Sequence, residues 1–415
     1  MGTLNKRKII NDPVYGFIST STDLVYDVVN HPYFQRLRHI KQLGLTYLVY
    51  PGAVHTRFQH ALGAMHLMRK AIEVLRSKGQ SIEPDEEEAA LVAILLHDVG
   101  HGPFSHALEH SLVQGVHHEQ LSLWMMEELN RELDGKLDKT IQIFRGKYPK
   151  VFLNQLLSGQ LDVDRLDYLK RDSFYTGVSE GVVGSDRIIK MLNVVDGELV
   201  VEAKGIYSIE KFLFARRFMY WQVYLHKTVV SAENMLLLCL LRAKELVRSG
   251  VDLPAPRALH FFLKNEPNTD SFNVPLPDEG NYSPLQFFAL LDDHDVSSAI
   301  KTWMFADDVI LATLSRRLVE RRLYRIELSK TPFPADYLEQ KQQEIKLRFQ
   351  LSDSELPYYV QSDVIKNSAY SFDEPQLTIL FNDGRTADMS ESSELFSMHQ
   401  NTGITRQYFL IYPKD

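Results

Sequence analysis

Leu91-Val-Ala-Ile-Leu-Leu-His97-Asp98-Val-Gly-His101-Gly-Pro-Phe-Ser-His106-Ala-Leu-Glu109-His110, followed shortly by His117-His118-Glu119, is the stretch that decides the fold. An apolar run of helical character enters an adjacent His-Asp pair. Gly100, Gly102 and Pro103 then turn the chain into a segment that carries more histidines. Six of the fifteen histidines lie between 97 and 118. Adjacent residues point apart on a regular helix, so His97 and Asp98 can serve one ion only where the helix ends and the backbone turns. The negative end of the helix dipole favours a cation at that place.

A hydrolytic metal needs three or four nitrogen or oxygen ligands and one open position. The partners of His97 and Asp98 must therefore come from elsewhere. His60, at the start of a strong helix over 56–78, and Asp164, on the helix within Leu161-Asp-Val-Asp-Arg-Leu-Asp-Tyr-Leu-Lys-Arg-Asp172, supply a second imidazole and a second carboxylate. Singly each has a plainer reading: a chance dipeptide, a core histidine, a surface carboxylate. Together they suit one divalent metal ion, and ligand softness does not choose among Mn, Fe, Mg, Zn and Ni.

Phosphate hydrolysis also needs proton-handling groups and cations. His101, His106, Glu109 and His118 offer the first. An imidazole beside Glu109 would have its charged form favoured, as a proton donor requires. Arg57, Lys170, Arg171, Arg216 and Lys227 offer the second, and Tyr168, Tyr220 and Tyr224 can flank a sugar or base. Asp164, Tyr168 and Arg171 share a helix face at i, i+4 and i+7. His110 and His117 are expected at the surface.

The chain has 415 residues, 44% hydrophobic and 24% charged, with a net charge of −8. This is globular composition, and the acidity argues against nucleic acid as a partner. One cysteine, Cys239 in an apolar helix, permits no internal disulfide and fits a reducing compartment. No run is apolar enough to span a bilayer, and residues 1–10 do not resemble a signal peptide. The expectation is a cytoplasmic protein without membrane contact.

Helices are expected around Leu24–Val29, over 34–42 and 56–78, from Pro84 to His97-Asp98, over 119–134 and 148–158, within Leu161–Asp172, and as one long helix or a pair over 208–248. Leu192 to Glu202 reads as a β-hairpin turning at Asp196-Gly197. Residues 264–284 read as a loop, 285–350 as helices, and Thr378–Phe381 and Tyr408–Tyr412 as strands. The fold class is mainly α: a multi-helix core over 1–250, with a mixed α/β part over 251–415 packed on it.

The ordered set Phe58-Gln59-His60, His97-Asp98-Val-Gly-His-Gly-Pro-Phe-Ser-His106, His118-Glu119-Gln120 and Asp162-Val-Asp-Arg-Leu-Asp-Tyr168 resembles the HD-domain phosphohydrolases. More narrowly it is similar to the deoxynucleoside triphosphate triphosphohydrolases. Ile10-Asn-Asp-Pro13, Phe34-Gln-Arg-Leu-Arg38, Lys41-Gln-Leu-Gly44, Pro51-Gly-Ala53 and Arg216 with Tyr224 and His226-Lys227 extend the resemblance. It implies that His60, His97, Asp98 and Asp164 hold one metal, with His101, His106, Glu109 and His118 as the catalytic group. It implies a deoxynucleotide pocket of Gln42, Leu43, Arg57, Arg165, Tyr168, Asp172, Arg216 and Tyr224. The implied reaction is water attack at the α-phosphorus, releasing a deoxynucleoside and triphosphate, in a homo-oligomer (dimer or tetramer). Glu109 and Arg165 stand where the resemblance leads one to expect Asp and Lys, and Asn30 stands where an acid would read an activating guanine. The alternatives are another HD-type phosphohydrolase, acting on a monophosphate or signalling nucleotide, and a catalytically silent nucleotide sensor.

Overall fold

The run Ala89–Leu96 is buried on every side, as befits a helix that is apolar all round. Its helix, Pro84–Leu96, starts with proline at its first position, and Glu86 Oε2 accepts from the Glu83 N–H at 2.8 Å. Glu86 is itself buried, held by the Tyr148 hydroxyl at 2.6 Å and the Lys150 ammonium at 2.5 Å. The helix Arg57–Ser77 packs alongside and ends at Gly79, whose φ of 90° is the left-handed stop that glycine supplies. The helix Val163–Thr176 packs on Arg57–Ser77 from another direction. Asp162 caps it by accepting from the Arg165 N–H, and Gly177 ends it at φ 76°.

The computed structural model describes residues 8–104, 111, 113, 115–367, 377–393 and 405–414. Among these the architecture is mainly helical, with three small sheets. Ile9–Asp12 and Gly16–Ser19 form a two-stranded hairpin. Leu192–Val195 and Glu198–Glu202 pair around Asp196 and Gly197, both at positive φ. Thr378–Leu380 then adds to this hairpin in parallel, and Thr386–Asp388 closes the sheet. In the third sheet Thr405–Tyr412 lies between Arg325–Ser329 and Gln361–Asn367, antiparallel to both.

Buried apolar residues from Ile18 to Tyr412 form one continuous cluster, so residues beyond 250 share the core of those before it. The helix Asp138–Phe144 and the strand Arg325–Ser329 were not expected. Both are short, and both take their stability from packing rather than from a sequence period. The 34–42 helix is a short helix, Pro32–Gln35, continued as a 3₁₀ turn, Arg36–His39. The expected 208–248 element is two helices, Ile206–Met219 and Lys227–Arg248, joined through a π-helical turn at Tyr220–Tyr224. Among the described residues no helix is long and apolar enough to cross a membrane.

Candidate metal centre and nucleotide pocket

Three helices converge at the C-terminal end of Pro84–Leu96. Helix geometry ceases after Leu96, and the chain turns through Val99-Gly100. Gly100 is required there: a Cβ would fall 2.2 Å from the His118 carbonyl oxygen and 2.3 Å from the Ser122 nitrogen. Ser122 Oγ accepts from the Gly100 N–H at 2.9 Å and donates to the His97 carbonyl at 2.7 Å. The turn is thus fastened to the helix His118–Glu132.

His60, His97 and Asp164 bring one ligand atom each to within 4.8 Å of one another. Asp164 Oδ1 lies 2.8 Å from His60 Nε2 and 3.3 Å from His97 Nε2. Asp98 borders the same space, with Oδ1 3.3 Å from His97 Nε2 and Oδ2 3.9 Å from His60 Nε2. The far nitrogens of both rings are engaged: His60 Nδ1 with Asp167 Oδ2 at 2.8 Å, His97 Nδ1 with the Ile94 carbonyl at 2.7 Å. That fixes the Nδ1–H tautomers and aims both Nε2 lone pairs inward.

These residues fit a divalent cation. Both Nε2 atoms are buried without a hydrogen bond, although Asp164 stands close by. The surrounding charge also calls for a positive centre. Burial pushes the His60 imidazole down, yet Asp164 and Asp167 push it up to about 10. His97, likewise opposed by burial, is raised to about 9 by Asp98 and Asp164. Against its own burial, Asp164 is held below the usual carboxylate range by the two imidazoles.

The comparisons with known proteins agree with this geometry. The HD domain model matches residues 57–172, and the model of the HD-associated region matches residues 183–252. The uncharacterized protein YwfO of Bacillus subtilis is 31% identical over 430 residues, covering all of this chain and 94% of that one. The chain belongs to the HD-domain phosphohydrolase family. A phosphohydrolase of Bacteroides thetaiotaomicron, known from a crystal structure, is 51% identical with a TM-score of 0.93, covering 98% of this chain and 100% of that one. The human deoxynucleoside triphosphate triphosphohydrolase SAMHD1 is 30% identical over 284 residues, or 58% of this chain and 45% of that one. The chain thus spans about half the length of that relative.

Around the HD centre the expected groups divide. His101 stacks on His118 with ring centroids 4.0 Å apart, and its Nε2 lies 3.3 Å from Asp98 Oδ1. Burial and the nearby Arg57 push the His101 imidazole down to about 3; the expected pairing of an imidazole with Glu109 lies outside the described residues. His106, Glu109 and His110 lie outside the described residues. His117 is exposed. Arg57 Nη1 lies 2.6 Å from Asp98 Oδ2.

On the nucleotide side, the Tyr168 ring meets His60 at 6.5 Å and Tyr224 at 6.3 Å. Tyr224 in turn meets Tyr220 at 5.2 Å. Arg216 sits 5.9 Å from the Tyr220 ring, buried, with Nε and Nη1 lacking partners. Gln42 Oε1 is also buried without a partner, and Leu43 is partly buried beside it. Arg165 Nε leans on Asp162 at 3.4 Å, and burial with the neighbouring Asp164 pushes the Asp162 carboxyl up to about 7.

Three expected phosphate binders are placed elsewhere. Arg171 is fully buried between Asp12 and Asp167. Its shared face with Asp164 therefore does not open to the site. Lys170 stacks over the Tyr15 ring at 4.6 Å. Lys227 lines a separate basic hollow with Arg325, Lys341, Arg348 and Tyr412.

Sequence reasoning missed the supports. Asp167, at i+3 from Asp164, orients His60. His55 holds Asp172 at 2.7 Å. Arg36 donates to the carbonyls of Val99 (2.8 Å) and His101 (2.9 Å), and to those of Phe288, Ala289 and Leu291 at 3.0–3.2 Å. The Asp164–Asp167 spacing was a usable signal. Nothing local marks Arg36 or His55, whose partners are distant in sequence.

Proposed function

We propose that this HD phosphohydrolase cleaves deoxynucleoside triphosphates to deoxynucleoside and triphosphate by attack of water at the α-phosphorus. The observation that carries the reading is the buried His60–His97–Asp164 cluster, bordered by Asp98, with a buried guanidinium, Arg216, whose Nε and Nη1 lack hydrogen-bond partners, reached along a row of tyrosines. His60, His97, Asp98 and Asp164 would hold one divalent ion. Bound there, the ion supplies Lewis-acid polarisation of a phosphoryl oxygen and a water of lowered pKa.

The chain's own groups do the remaining work. Arg216 binds a phosphate, which gives its unpaired N–H groups acceptors. Arg57 is shared between Asp98 and the phosphoryl oxygens. His118, held against the His101 ring, passes a proton to the departing sugar oxygen together with His106 and Glu109. Tyr168, Tyr224 and Asp172 line the sugar side, Gln42 and Leu43 the opposite wall, and Arg165 the phosphate edge. The 30% identity to a deoxynucleoside triphosphate triphosphohydrolase supports the choice of substrate.

The test is product identification with Mn or Mg and each deoxynucleoside triphosphate in turn. Deoxynucleoside and intact triphosphate are expected. Orthophosphate or diphosphate as first product, or no turnover with several metals, overturns the proposal. We also propose a homo-oligomer. The exposed Ile9 and Phe17 on the N-terminal hairpin are apolar groups such an assembly would cover.

A further inference from the structure

His55 has no place in the site as drawn so far, yet it is buried and tied to both walls of the pocket. Its Nε2 lies 2.7 Å from Asp172 Oδ1, and both side chains are essentially fully buried. The other oxygen of Asp172 accepts from the Tyr224 hydroxyl at 2.7 Å. The His55 ring stacks on Tyr175 at 4.5 Å, and its carbonyl accepts from the Gln42 N–H at 3.0 Å. His55 Nδ1 has no partner. The proton therefore belongs on Nε2, where it is donated to Asp172.

This arrangement has a chemical direction. Tyr224 spends its only proton on Asp172, so the remaining lone pairs of the pair can accept but not donate. An acceptor-only surface binds hydroxyls and repels phosphate. Asp164, Tyr168 and Asp172 follow one another at i, i+4 and i+8 on one helix, about 12 Å of axis from first to last. The metal end and the acceptor end are thus set apart along one helix.

We propose that His55 is a positioning residue that fixes the Asp172–Tyr224 pair as the sugar-hydroxyl acceptor of the pocket, and so sets which way round the nucleotide lies. The inference rests on the nucleotide reading above. Without the Nε2 donor, Asp172 is a buried carboxylate held on one side only, free to turn from Tyr224 and from a sugar hydroxyl.

Two variants separate donation from packing. His55→Gln keeps an N–H near the Nε2 position and loses the stacked ring, whereas His55→Phe keeps a ring and loses the donor. KM and kcat are measured for each deoxynucleoside triphosphate, with metal content as a control. His55→Phe is expected to raise KM about tenfold, the size of one lost hydrogen bond to a charged group. Its kcat falls less, and its metal content is unchanged. His55→Gln is expected to restore KM to within about twofold of the parent. The reverse order, or equal losses in both variants, makes His55 a packing residue and overturns the proposal. If the parent protein releases no triphosphate, the nucleotide reading fails at that step. His55 is then judged from crystal structures of the two variants: Asp172 kept on Tyr224 in His55→Gln but swung away in His55→Phe supports it, and any other arrangement overturns it.

Discussion

His60 Nδ1 lies 2.8 Å from Asp167 Oδ2, and neither side chain is exposed. The same carboxylate is clamped by Arg171, through Nε at 2.9 Å and Nη2 at 3.0 Å. Arg171 continues to Asp12, at the end of the first strand, at 2.7 Å. A buried relay thus runs from the N-terminal hairpin to the candidate metal centre. Such a partner fixes a ligand's tautomer and raises its basicity. Asp167→Asn is therefore expected to weaken Mn binding about 10–100-fold while leaving the fold intact. Calorimetric titration of metal into the variant checks this, and unchanged affinity would remove Asp167 from the site.

Gly63 lies in the crook of that relay. A Cβ there would fall 2.0 Å from Asp167 Oδ1 and 2.2 Å from Arg171 Nη2. Neither group can yield, because both are buried and doubly bonded. Gly63→Ala is expected to lower stability by about 1–3 kcal/mol, the usual cost of overpacking, and to weaken metal binding in parallel. Urea unfolding of the metal-free protein separates the two effects.

Arg36 makes five hydrogen bonds, all to backbone carbonyls and none to a carboxylate. It closes the C-terminal end of the helix Pro284–Leu290 and holds the Val99–His101 turn in one grip. Arg36→Lys, which keeps the charge but not the fork, is expected to cost at least about 2–3 kcal/mol. Activity should fall by more than the folded fraction does, because the turn bears His101. Activity assayed well below the unfolding midpoint tests that excess; a loss that only tracks unfolding would confine Arg36 to stability.

What the sequence disclosed follows from the range over which each interaction acts. The helices Arg57–Ser77 and Pro84–Leu96, the Asp196-Gly197 hairpin and the His97-Asp98 pair each leave a local trace: a period, a cap, a turn pair, a motif. Arg36, His55 and the Arg171–Asp12 pair join residues 63 to 255 positions apart and leave none. Arg171 misled for the same reason. On a helical wheel it belongs with Asp164 and Tyr168, yet the carboxylates that claim it lie on its other side.

Glu233, on the helix Lys227–Arg248, sets a pH dependence of stability. Burial pushes its carboxyl from 4.5 up to about 7. The unfolded chain releases this proton near 4.5, the folded chain only near 7. The group therefore opposes folding increasingly as pH rises from 4.5 to 7, and constantly above that. Glu233→Gln abolishes the ionisation. The variant should be more stable than the parent at pH 8 by about 1–2 kcal/mol, discounted because the side chain is only partly buried. The advantage should shrink towards zero at pH 5. Urea midpoints at the two pH values decide it, and an equal difference at both would show that Glu233 is ionised in the folded protein throughout.

Arg216 is buried with Nε and Nη1 unpaired, an arrangement that opposes folding unless a ligand repays it. Arg216→Met should therefore leave the ligand-free protein at least as stable as the parent. A triphosphate would see the opposite ranking, because it pairs with the guanidinium in the parent and finds no donor in the variant. Inorganic tripolyphosphate at about a hundredfold excess over its Kd should raise the parent's Tm by about 3 °C and the variant's hardly at all. KM for the nucleotide should rise about tenfold or more, as expected for one lost charge-assisted contact, with metal content unchanged. Thermal melts with and without tripolyphosphate read the first effect and steady-state kinetics the second. Equal ligand-induced shifts in both proteins would place the phosphate site away from Arg216.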